Sequence, residues 1–118
     1  TVLDAAAVPC PKTYGGHAVD PPDGKSLLPI LRGKPRDGHD QLCWGAINGK
    51  AIRQGKWKLV RAHDNPWELY DMNADRTELN NLAERHPEKV QALENEWEVW
   101  RDTVNLPTGW RDPKIFAK

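Results

Sequence analysis

Hydrophobic positions change their period along this chain, and each change marks an element. From Gln41 to Met72 the period is two. Leu42-Cys43-Trp44-Gly45-Ala46-Ile47 predicts a strand, and Asn48-Gly49 is the strongest short hairpin signal a sequence carries. Lys50 to Arg53 predicts a second strand that turns at Gln54-Gly55. Lys56-Trp57-Lys58-Leu59-Val60 predicts a third, with Trp57 and Leu59 on one face and both lysines on the other. After the turn His63-Asp64-Asn65-Pro66, the run Trp67-Glu68-Leu69-Tyr70-Asp71 alternates again, with Trp67 and Leu69 together. The expectation is a four-stranded antiparallel meander.

Further on the period becomes helical. Val90, Leu93, Trp97, Trp100 and Val104 follow 3-4-3-4 spacing, and Glu88, Lys89, Glu94, Glu96, Glu98 and Arg101 cover the rest of the surface. His86-Pro87 opens this helix, with Pro87 at the first position, where its missing N–H is no loss. Leu106-Pro107-Thr108-Gly109 ends it, leaving 106–118 as an irregular tail. Between sheet and helix, Asp75 with Glu78 three positions on predicts a cap and a short turn of helix through Leu79, Leu82 and Ala83. The fold class expected is α+β: a four-stranded antiparallel β-meander packed by a long C-terminal amphipathic helix. Trp57, Leu59, Trp67 and Leu69 then face Trp97 and Trp100. The opposite sheet face, with Lys56, Lys58, Glu68 and Tyr70, suits solvent or a polar neighbouring domain.

The first forty residues are less regular. Thr1 to Val8 reads as helix from its first residue, with no initiating Met and no preceding cap, as though cut from something longer. Residues 9–24, punctuated by Pro9, Pro11, Gly15, Gly16, Pro21, Pro22 and Gly24, read as loop or linker. Ser26 is placed as the N-cap of a short helix whose apolar side is Leu27, Leu28, Ile30 and Leu31, with Pro29 in its first turn and Gly33 as its stop.

Length and composition narrow the classes. The 118 residues allow one domain. The hydrophobic share of 38% rises to roughly 44% when Gly is counted and Tyr is not, near the ~45–50% of ordinary globular chains. Seventeen Lys and Arg balance seventeen Asp and Glu, which argues against a nucleic-acid partner. The balance hides a split: residues 1–62 hold ten basic and five acidic side chains, and the remainder seven and twelve. Basic and acidic halves either complement each other within one fold or present a basic face to an anionic partner. No apolar run is long enough to span a membrane.

Candidate chemistry is sparse. Cys10 and Cys43 have no neighbouring base, and whether they pair is open. His17, His39, His63 and His86 never approach metal-ligand spacing, so no metal site is expected. The acidic run Glu94, Glu96, Glu98 reads as a solvated helix face. Trp44, Lys50, Arg53, Lys56, Trp57, Lys58 and Arg61 crowd one meander, an aromatic and basic pattern suited to sugars or bases. Trp57 has the helix to pack against. Trp44 is open between core and surface contact.

A family resemblance runs through the chain in order. Asp23-Gly24-Lys25-Ser26-Leu27-Leu28-Pro29-Ile30-Leu31-Arg32-Gly33 resembles the segment leading into the C-terminal subdomain of arylsulfatase-type sulfatases, members of the alkaline-phosphatase-like superfamily. Ala51-Ile52-Arg53-Gln54-Gly55-Lys56-Trp57-Lys58-Leu59-Val60 resembles that family's R-x-G-x-W-K-L hairpin. Trp67-Glu68-Leu69-Tyr70-Asp71-Met72, followed by Asp75, Glu78 and Asn81-Leu82-Ala83, resembles its W-E-L-Y-D-L…N-L-A stretch, and His86-Pro87-Glu88 opens the final helix as it does there.

The resemblance implies a fragment of a sulfuric ester hydrolase. Residues 1–40 would be a linker with short helices leading in from a catalytic domain outside this chain, 41–105 the subdomain, and 106–118 its tail. It implies that calcium and a formylglycine belong only to that catalytic domain, which would be the partner in cis. Cys10-Pro11 lacks the Arg of the family's formylglycine motif, so no catalytic residue is carried over. The subdomain would support the catalytic domain and edge its substrate cleft, with Trp44, Asn48 and Lys50 as the candidates there. Gly45 and Ala46 stand where relatives show an acidic residue and a His. The alternative is a free-standing binding or assembly module for an anionic glycan. An isolated fragment is expected to self-associate, and a periplasmic or extracellular location is implied by the resemblance alone.

Overall fold

The computed structural model describes residues 1–46 and 49–104. The chain divides into two compact units, Thr1–His39 and Asp40–Lys118.

The first unit holds a short helix α1 (Val2–Ala5), a two-stranded hairpin of β1 (Thr13–Tyr14) and β2 (His17–Ala18), and one turn of helix, α2 (Leu28–Leu31). Helix α1 is shorter than expected, because Ala7 adopts a φ of +54° and turns the chain out of the helix. The hairpin lies inside the stretch expected to be linker, turning on Gly15 and Gly16, both at positive φ. In α2 the N-cap is Leu27 rather than Ser26, although the Ser26 hydroxyl still accepts a hydrogen bond from the Leu28 N–H at 3.2 Å. Gly33, at a φ of +70°, ends it as expected.

The second unit is the sheet and helix. Strands β3 (Gln41–Ala46), β4 (Gly49–Gln54), β5 (Trp57–Ala62) and β6 (Glu68–Asp71) form an antiparallel sheet in sequence order. The Asn48-Gly49 turn falls partly on residues outside those described. Helix α3 (Pro87–Thr103) starts with Pro at its first turn, as expected, and its predicted end at 106–109 also lies outside the described residues.

Register explains the core. Cys43, Ile52, Leu59 and Leu69 stand opposite one another across the four strands. With a side-chain period of two they share one face. Ile52, Leu59 and Leu69 are fully buried there under Leu93 and Trp97 of α3, and Trp57, Trp67, Val90 and Trp100 pack around them. The four Trp expected at the sheet–helix contact all lie in it. Trp97 also packs edge-on to Trp67, with ring centroids 6.5 Å apart.

Three expectations are corrected. Asp75 does not start a helix: its Oδ2 accepts from the N–H groups of Leu79 and Asn80, both at 2.8 Å, and its Oδ1 from the Thr77 hydroxyl. A carboxylate that gathers donors four and five residues on closes a loop, and Glu78, at a φ of +59°, cannot continue a helix. Helical backbone appears only as a 3-10 turn at Ala83–Arg85. Tyr70, expected on a polar face, is buried, with its hydroxyl donating to Glu68 Oε2 at 2.8 Å. Beside it Lys58 reaches Glu78 at 2.5 Å, so the loop after β6 covers this end of the face. Lys56 belongs to the turn before β5, where its ammonium pairs with Asp71 at 2.7 Å and lies over the Trp57 ring.

Candidate functional site

Two of the three residues expected at a cleft edge, Trp44 and Lys50, come from one hairpin, β3–β4. Asn48 lies outside the described residues. Trp44 and Lys50 are near each other along the ladder, Trp44 opposite Ala51 and Lys50 opposite Gly45. They nevertheless belong to opposite faces. Lys50 shares the parity of Ile52, so its ammonium turns toward α3, where it lies 4.5 Å from the Trp97 ring and 3.8 Å from Glu98. Glu98 also pairs with Arg101, so one of the three glutamates read as a solvated face is half-buried and engaged. Trp44 keeps its ring on the outer face, 47% exposed, while its backbone carbonyl accepts the indole N–H of Trp97 at 2.9 Å.

The outer face around Trp44 is concave. It holds a shallow, open groove of about 320 Å³ lined by Trp44, Ala46, Ala51, Val60, Ala62 and Glu68, with Gly49, Lys50 and Arg61 also bordering it. The sequence missed this groove because Ala46, Ala51 and Ala62 carry no signal singly. Only the register, which sets Trp44, Ala51, Val60 and Glu68 in one row and Ala46, Gly49 and Ala62 in the next, reveals it. Arg61, on the other face, lies 5.8 Å from the Trp67 ring. Lys50 and Arg61 therefore turn away from Trp44, whereas Arg53, opposite Leu42, and Lys58 share its face.

The two cysteines do not pair with each other. Both are free thiols; Cys10 is exposed, and Cys43 is half-buried against the core. Burial pushes the Cys43 thiol above its ordinary value, against the opposing effect of a hydrogen bond from Gln41 at 3.3 Å. Among the described residues, no three His, Cys, Asp or Glu gather as metal ligands, and no helix is long and apolar enough to cross a membrane. The calcium implied by the resemblance finds no fitting donor set among the described residues.

No family model matches the chain. Known proteins do. The chain is 33% identical over 115 residues to an uncharacterized sulfatase of Schizosaccharomyces pombe, covering 92% of this chain and 21% of that protein. It is 32% identical over 124 residues to arylsulfatase K of Gallus gallus, again across 91% of this chain and 21% of the relative. Among solved structures, a sulfatase from work on the metabolism of multiple glycosaminoglycans by Bacteroides thetaiotaomicron superposes with a TM-score of 0.63 at 26% identity. That match covers 86% of this chain and 23% of the other.

The class these matches define is the sulfatases, in agreement with the resemblance drawn from the motifs. More particularly, nearly the whole of this chain corresponds to a minor part of a sulfatase, since it spans about a fifth of the length of these relatives.

Proposed function

We propose that this chain is the C-terminal subdomain of a sulfatase: it supports the catalytic domain in cis and edges the substrate cleft, without catalysing alone. One observation carries this reading. The match takes in 92% of the chain but only 21% of the relative, as expected of a supporting part rather than a reduced copy of the enzyme. The calcium-assisted chemistry of sulfate ester hydrolysis then belongs to the catalytic domain. Here Trp44, Asn48 and Lys50 are the residues assigned to the cleft edge. An isolated chain with its domain-facing surface uncovered self-associates.

The test is sulfate release from an aryl sulfate ester with calcium present. The pure 118-residue chain should release none, whereas the longer polypeptide that contains it should turn over. Metal-dependent turnover by the chain alone would overturn the reading. The rival, a free-standing module for an anionic glycan, requires cations beside Trp44. Lys50 and Arg61 turn toward the opposite face and Lys58 is paired with Glu78, which leaves Arg53 as the exposed cation on Trp44's face and favours the supporting role.

A further inference from the structure

Four residues form the last inward row of the sheet. Gly45 stands opposite Lys50 and Lys50 opposite Arg61, while Trp67 lies one step beyond the Val60–Glu68 pair, across from Arg61. All share the parity of the core row, so this row belongs to the helix side. Gly45 brings no side chain there, and Lys50, Arg61 and Trp67 are half-buried. Two cations directly opposite each other on neighbouring strands repel. Lys50 is compensated by Glu98 at 3.8 Å and by the Trp97 ring. Glu98 also pairs with Arg101, which in turn meets Asp102. Arg61 is outside these pairs. Among the described residues its guanidinium faces the Trp67 ring, 5.8 Å from the ring centre.

Two donors of this row, Arg61 Nε and Trp67 Nε1, are buried without an acceptor among the described residues. Native proteins satisfy nearly all such groups, and a buried donor left bare loses more than a made bond gains. Other polar groups of this sheet do find partners: Trp97 Nε1 donates to the Trp44 carbonyl, and the Tyr70 hydroxyl to Glu68. What the row lacks is an acceptor. A water would satisfy the donors but not the charge of Arg61 set beside Lys50. An oxyanion does both. It accepts from each N–H at about 2.9 Å, so one group bridges a guanidinium and an indole this far apart, and its bonds to Arg are charge-assisted.

We propose that Arg61 and Trp67, with Lys50 alongside, form an oxyanion site that takes one sulfate or carboxylate group. That group is either a free inorganic oxyanion or an Asp or Glu side chain of the polypeptide beyond these 118 residues. The site is built from this chain alone and does not rest on the sulfatase reading.

Sodium sulfate is the probe, exchanged against sodium chloride at constant ionic strength, with melting temperature as the readout. Both the 118-residue chain and the longer polypeptide that contains it are measured. Trp67→Phe keeps an aromatic ring and removes the donor; Arg61→Met removes the charge and keeps an apolar stem. In the 118-residue chain, sulfate is expected to raise the melting temperature along a saturating curve, and each variant to weaken the apparent affinity about tenfold or more. If the occupant is a free oxyanion, the same difference between wild type and variants recurs in the longer polypeptide. If it is a built-in carboxylate, the difference is confined to the 118-residue chain, and without sulfate Trp67→Phe lowers the melting temperature of the longer polypeptide more than that of the chain. Either pattern supports the site. A rise linear in sulfate and equal in wild type and both variants is the general effect of an excluded salt, and it would overturn the site. So would a sulfate response lost in Arg61→Met but intact in Trp67→Phe, because diffuse attraction to a cation would then suffice.

Discussion

Asp75 and Tyr70 give the subdomain opposite responses to acid and alkali. Hydrogen bonds from the Asn80 and Leu79 N–H groups and the Thr77 hydroxyl hold the Asp75 carboxyl below its ordinary 3.8, and the Lys56 ammonium does the same for Asp71. A lowered folded-state value stabilises above the unfolded value and is lost as pH falls through the folded one. The melting temperature should therefore drop on acidification below about pH 4, and Asp75→Ala should flatten that limb. An unchanged acid limb in the variant would contradict the assignment. For Tyr70, burial first and the bond to Glu68 second push the phenol up to about 12. Its contribution is complete below the usual value of 10 and is lost as pH rises through 12, so Tyr70→Phe should flatten the alkaline limb. Neither role was legible in the sequence. Asp-x-x-Glu is compatible with a helix cap and with a loop clasp, and only the left-handed backbone at Glu78 selects the second.

Helix α3 was the most legible element, because five apolar positions at helical spacing leave one packing solution. Its burial is graded: Leu93 and Trp97 are buried, Val90 and Trp100 partly, and Val104, the C-cap, is 42% exposed. Trp97 combines core packing with a hydrogen bond to the Trp44 carbonyl, tying the helix to β3. Trp97→Ala should cost about 3–5 kcal/mol, as large aromatic truncations in cores do. Trp97→Phe keeps most of the apolar area but strands the carbonyl, and should cost about 1–3 kcal/mol. Val99→Ala, on the exposed side, should stay within about 0.5 kcal/mol. Urea unfolding orders the three, and equal losses for Phe and Ala would show that the hydrogen bond, not the packing, dominates. The strands were legible to within two residues, since Trp57, Leu59, Trp67 and Leu69 fix the parity. The outer groove was not, because a row of alanines acquires meaning only once register places it.

At the scale of the whole molecule, the charge split resolves into pairing. Lys50 with Glu98, Lys56 with Asp71 and Lys58 with Glu78 each join a basic residue of the first half to an acidic residue of the second. Among the described residues, all the buried hydrophobic ones, from Ile52 to Trp97, belong to the second unit. Removal of residues 1–39 should therefore leave a cooperatively unfolding domain, its melting temperature shifted by no more than a few degrees; loss of the unfolding transition in calorimetry would refute this. Beyond β6, Leu69 donates its N–H to the Asn81 side chain at 3.0 Å and its carbonyl accepts from Leu82 at 2.8 Å. That clasp makes the sheet one-ended for growth. A strand added at β3 exposes no second sticky edge at β6, so two copies meeting edge to edge close on each other and stop. Asn81 is thus a chain terminator built into the monomer, and ribbon-like polymerisation through this sheet has nowhere to propagate.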